Sequence, residues 1–78
     1  MTNSKAYVLI EAQAGQLETI ALALRGIPGI DTVEVVTGPY DIIATIKTGD
    51  QQAIGRLIMN AFHTIDGIRR TTTCLVIG

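Results

Sequence analysis

Ile27-Pro28-Gly29-Ile30 returns later in the chain as Ile65-Asp66-Gly67-Ile68, and each copy closes a helical stretch and opens a β-rich one. Before the first copy, Leu17, Ile20, Ala21 and Leu24 fall at i, i+3, i+4 and i+7, the spacing of one helix face. Before the second, Ile54, Leu57, Ile58, Ala61, Phe62 and Ile65 form a stripe across three turns. Gly26 and Asp66-Gly67 are stop signals, and Pro28 prevents the first helix from resuming. Each helix is itself preceded by an apolar, β-branched segment, around Val8 to Ile10 and around Ile42 to Ile46.

Strand, helix, strand, stated twice in 78 residues, is the split βαβ pattern of the ferredoxin-like α+β class. The order predicted is βαββαβ in one domain over residues 1–78, with strands at 5–12, 32–37, 40–47 and 69–77. The first helix is expected over 16–24, with Gly15 at its N-cap and Glu18 three residues on as a weakened capping box. The second helix is expected to open at Asp50 and run to Ile65. Gly38-Pro39 makes the hairpin turn between the second and third strands. Right-handed crossovers put both helices on one face of a four-stranded antiparallel sheet.

Alternation along the strands assigns the two faces. Val8, Ile10, Val33, Val35, Ile42, Ala44, Ile46, Cys74 and Val76 are expected beneath the helices. Tyr7, Leu9, Val36, Ile43, Leu75 and Ile77 are expected on the other face, among Glu11, Thr45, Thr71 and Thr73. That face would expose a contiguous apolar patch, which soluble monomers rarely do. Its expected cover is the same face of a second copy in a twofold dimer.

The bulk properties agree. The chain is 47% hydrophobic, with a mean hydropathy of +0.38, rich for so small a domain, yet no apolar run approaches the roughly 18 residues of a membrane span. Net charge is −1 and the six basic residues are scattered, unlike the basic stripe of a nucleic-acid binder. The polar start Met1-Thr2-Asn3-Ser4 is not a secretion signal, and one cysteine cannot staple a monomer. A cytoplasmic protein is expected, with no membrane partner and no cofactor.

Signals for catalysis are weak. His63, late in the second helix, has no metal-ligand company and reads as a helix-end residue. Cys74, inside an apolar strand, reads as an inert core thiol. The paired cysteines of ferredoxin-like metal chaperones are missing, as is the phosphate-cradling arginine of an acylphosphatase in the loop Gln13-Ala14-Gly15-Gln16. Three aromatic residues do not make the stacking platform of an RNA-recognition module.

Two features remain. Thr37-Gly38-Pro39-Tyr40-Asp41 brings a ring and a carboxylate to the start of the third strand. It reads either as an ordinary turn, with Asp41 satisfying nearby backbone donors, or as a recognition loop. Thr71-Thr72-Thr73 reads either as β-propensity on a half-exposed strand or as a source of hydroxyls for a polar ligand.

Together, Thr37-Gly38-Pro39-Tyr40-Asp41-Ile42-Ile43, Asp50 at the start of the second helix, and the run Ile65-Asp66-Gly67-Ile68-Arg69-Arg70-Thr71-Thr72-Thr73 resemble one known module. It is the effector-binding (RAM) domain of the Lrp/AsnC family of bacterial and archaeal transcription regulators, and the resemblance covers residues 6–77. It implies dimers of the dimeric α/β-barrel type, made through the sheet, rings such as octamers or decamers, and small effectors held between subunits. Full-length members carry a helix-turn-helix domain ahead of this module, and here five residues precede the match. The stand-alone form is therefore expected, without direct nucleic-acid binding.

The expected function is an oligomeric amino-acid sensor linked to transcriptional regulation of amino-acid metabolism, without catalysis. Backbone N–H groups of Gly38 and Tyr40 would receive an effector carboxylate. Asp41 would pair with its α-ammonium, Tyr40 would cover it, and Thr71, Thr72 and Thr73 would offer hydroxyls. The alternatives are a ligand-free module forming mixed oligomers with full-length Lrp/AsnC regulators, and a dimeric α/β-barrel enzyme. The ACT domain, a related ferredoxin-like sensor, would use a glycine near the position of Gly15.

Overall fold

The computed structural model describes residues 4–78; Met1, Thr2 and Asn3, the polar start noted above, lie outside them. The elements run β1 (Ser4–Ala12), α1 (Leu17–Arg25), β2 (Ile30–Val35), β3 (Ile42–Thr48), α2 (Gln51–Asn60), a 3-10 turn (Phe62–Thr64) and β4 (Ile68–Leu75). The strands form one antiparallel sheet in the order β2-β3-β1-β4. This is the ferredoxin-like βαββαβ architecture.

The core lies between the sheet and the helices. Ala6, Val8 and Ile10 of β1 and Ile42, Ala44 and Ile46 of β3 are fully buried, with Ile20, Ala21 and Leu24 of α1 packed onto them. Ile54 and Phe62 close the α2 side. The helical stripes read from the sequence are thus the buried ones. Asp50 caps α2 as expected, its Oδ1 accepting from Ala53 N–H at 2.7 Å.

Several boundaries move. Gly29, at a φ of +97°, turns the chain directly into β2, which starts at Ile30 and ends at Val35. The glycine-proline loop takes up residues through Tyr40, so β3 begins at Ile42. Gln16, not Gly15, occupies the N-cap of α1, and no side chain caps it. α2 ends at Asn60 and tightens into the 3-10 turn, where the Thr64 hydroxyl donates to Ala61 O at 2.8 Å. β4 runs from Ile68 to Leu75 instead of continuing to Ile77.

The largest correction concerns the faces of β4. Ala6 pairs with Leu75, Val8 with Thr73 and Ile10 with Thr71, so those β4 side chains share the helix-covered face. Tyr7 pairs with Cys74 and Leu9 with Thr72, which puts Cys74 and Thr72 on the open face. Cys74 is exposed, so it is not a core thiol. A register offset of one residue exchanges every side chain of a strand between faces, and β4 has no alternation in its sequence to signal which way it lies. Val35 also leaves the core, 46% exposed on edge strand β2.

The open face is accordingly narrower than expected. Leu9 and Ile43, paired across β1 and β3, form its apolar centre. Tyr7 and Thr45 lie beside them in register, and the Lys5 ammonium stands 5.1 Å from the Tyr7 ring centroid.

Candidate functional site

Gly38, Tyr40, Asp41 and Thr71 lie at one end of the sheet, where β1 finishes and β3 and β4 begin, while Thr72 and Thr73 pair with Leu9 and Val8 further along β1. Gly38 adopts a φ of +143°, a backbone conformation that side chains disfavour, and nothing stands within 4 Å of where a Cβ would be. Pro39 follows with a fixed φ and no donor. Together they carry the loop out of the ladder, whose outermost bond is Val36 N–H to Asp41 O at 2.9 Å. Tyr40 is half-buried at the loop's return.

Asp41 is tied to β1 at two points. Its own N–H donates to Ile10 O at 2.9 Å, and its Oδ2 accepts from Ala12 N–H at 2.9 Å. The carboxylate therefore fills a backbone vacancy left where β1 departs from β3. Ala12 is a partner that the sequence did not disclose, since a backbone donor carries no residue signature.

Ile10 also pairs with Thr71, on the other side of β1. Asp41 and Thr71 thus belong to one end of the sheet, two strand spacings apart, or about 10 Å. Thr71 is half-buried on the helix side, Thr72 is exposed on the open face, and Thr73 is exposed on the helix side. The three hydroxyls do not form one row, because successive strand residues alternate.

On the helix side of this end, a cleft of about 380 Å³ opens between the 3-10 turn and β4. Phe62, Ile65 and Ile68 supply its apolar lining, and His63, Arg69, Arg70 and Thr71 supply its polar lining. The turn into β4 is held by Gly67, whose carbonyl accepts from Gln13 N–H at 2.8 Å. At a φ of +96°, a Cβ there would stand 3.1 Å from Gln16 Cβ and from Ile20 Cδ1. Among the described residues, no cluster of His, Cys, Asp and Glu could hold a metal ion, and no helix is long and apolar enough to cross a membrane.

Comparison with known proteins places this geometry. An uncharacterized HTH-type transcriptional regulator of Pyrococcus abyssi is 31% identical over 71 residues, which cover 91% of this chain and 45% of that protein. The chain spans about half the length of such curated relatives. The crystal structure of TTHA0845 from Thermus thermophilus superposes with a TM-score of 0.91 at 27% identity, covering 96% of this chain and 94% of that one. The fold is shared with the transcriptional regulator NMB0573 of Neisseria meningitidis, solved as a complex with L-Met. There the TM-score is 0.84 at 16% identity, with 96% of this chain and 50% of that one covered. The relatives are named as regulators of transcription, which implies a regulatory role. The model of the Lrp/AsnC ligand binding domain matches residues 5–78, and the chain belongs to that family.

Proposed function

We propose that residues 1–78 act as one effector-sensing domain that binds an amino acid and assembles through its open sheet face. The observation that carries the reading is the anchored loop. Asp41 fixes the base of Gly38-Pro39-Tyr40 to β1, so the N–H groups of Gly38 and Tyr40 are offered from a preformed turn. Such groups suit a carboxylate, while Asp41 Oδ1 suits an α-ammonium and Tyr40 covers the ligand. Thr71 stands at the same end of the sheet; Thr72 and Thr73 would serve through a neighbouring subunit. The L-Met held by the Neisseria protein supports an amino acid as the effector class. The twofold dimer, and rings such as octamers or decamers built from it, would cover Leu9 and Ile43. In this reading the domain works in the cytoplasm, has no catalytic activity, and makes no nucleic-acid contact of its own.

The test is thermal unfolding against the twenty amino acids. A ligand at 100 times its Kd adds about 2.7 kcal/mol, a shift of several degrees in a domain of this size. A selective shift that Asp41→Ala abolishes is the expected result, and a flat panel would sink the sensor reading. The open face favours a second reading, mixed oligomers with full-length Lrp/AsnC regulators. Co-purification with a helix-turn-helix-bearing relative tests it.

A further inference from the structure

We propose, resting on the assembly reading above, that a second copy docks on the open sheet face with its strands antiparallel, so that Lys5 of each copy meets Glu11 of the other. The charges on this face separate along the strands. At one end Lys5 pairs in register with Lys47, and Asp31 offsets Lys47 alone, at 3.7 Å. Towards the other end stand Glu11 and, beside Ile43, Glu34, with Arg70 as the register partner of Glu11. One end is therefore net positive and the other net negative, with Tyr7, Leu9, Ile43 and Thr45 between them. Lys5 and Glu11 are both half-buried, and neither makes an ion pair among the described residues. Each has a charge to offer a partner.

A face that packs on itself about a twofold axis must be complementary to itself. In aligned sheet packing the axis lies either along the strands or across them. Along the strands, it falls between the central strands β3 and β1 and lays each on the other. Lys5 then faces the partner's Lys47 twice, and like charges across an interface cost affinity. Across the strands, β1 lies on the partner's β1 with its direction reversed. Val8 and Ala44, in register midway between the Tyr7-Thr45 and Leu9-Ile43 rows, mark the level of that axis. Residues 5 and 11 stand equally far on either side of Val8, so each Lys5 meets the partner's Glu11, and the Tyr7 row seats on the partner's Leu9 row. Stacked sheets lie about 10 Å apart, a gap that lysine and glutamate side chains span from its two sides. The two ends are about 20 Å apart along β1, beyond the screening length of about 8–10 Å, so neither contact cancels the other.

The experiment is sedimentation velocity of the 78-residue protein over a concentration series. Lys5→Glu and Glu11→Lys are compared singly, combined in one chain, and as a one-to-one mixture of the two single variants, each checked for folding by circular dichroism. Either single reversal sets like charges at both contacts and should raise the dimer Kd about tenfold. The combined variant and the mixture restore opposite charges at both contacts, so each should return close to the wild-type Kd. With one variant isotopically labelled, native mass spectrometry should find the mixture as heterodimers. Raised salt should narrow all these differences. Single reversals that associate as the wild type does, or a combined variant and mixture that recover nothing, would overturn the orientation and leave sheet-face assembly standing. A Lys5→Glu dimer tighter than wild type would place the axis along the strands and overturn it too. A wild-type protein that is monomeric throughout would remove the assembly reading and this orientation together.

Discussion

Asp41 and Ala12, 29 residues apart, are joined by one hydrogen bond from the Ala12 backbone N–H to Asp41 Oδ2. It clamps the end of β1 to the root of the glycine-proline loop, so the residue assigned to meet an effector also holds its own strand in place.

Removing that carboxylate should therefore be felt without any ligand. Asp41→Ala leaves the Ala12 donor unsatisfied in a partly buried place, at about 1.5–3 kcal/mol for a bond to a charged acceptor. Asp41→Asn keeps an acceptor oxygen and should lose less. Urea unfolding of both variants checks this, and equal stability of wild type and Asp41→Ala would remove the clamp.

Gly67→Ala should destabilise the domain more than Gly38→Ala. Both glycines have positive φ, but only Gly67 has atoms 3.1 Å from the added methyl group. Backbone strain of this kind costs about 1–3 kcal/mol, and crowding against Gln16 and Ile20 adds to it. Calorimetry should give a lower Tm for Gly67→Ala, and the reverse order would refute the packing argument.

Leu9→Asp or Ile43→Asp puts a charge at the apolar centre of the open face, where no helix covers it. The fold should persist by circular dichroism, and the proposed dimer should dissociate in sedimentation velocity. An oligomer of unchanged mass would show that assembly uses another surface.

Cys74 provides an independent readout, since it stands on the same face as Tyr7. Its thiol should react slowly with a maleimide in the assembled protein and quickly in Leu9→Asp. Equal rates would mean that the open face stays uncovered.

The helices and the twofold repeat were legible because Leu17, Ile20, Leu24, Ile54 and Phe62 carry a helical period into the core. β4 was not, because Thr71-Thr72-Thr73-Cys74-Leu75-Val76-Ile77 has no polar-apolar alternation to fix its register. That is why Cys74 and Leu75 exchanged faces. The loop at Gly38 was legible from its turn chemistry. The Ala12 clamp was not, because a backbone N–H donor leaves no mark in the sequence.

The two slips in the hydrogen-bond ladder have a consequence for how copies of this chain meet. Both fall on the outer strands, with Asp31 as the extra residue in β2 and Arg69 in β4. Each interrupts the rim of the sheet and sets a charged residue in the gap, a device that discourages rim-to-rim strand pairing. Continuous growth into a fibre by strand addition is thereby opposed at both ends of the strand order.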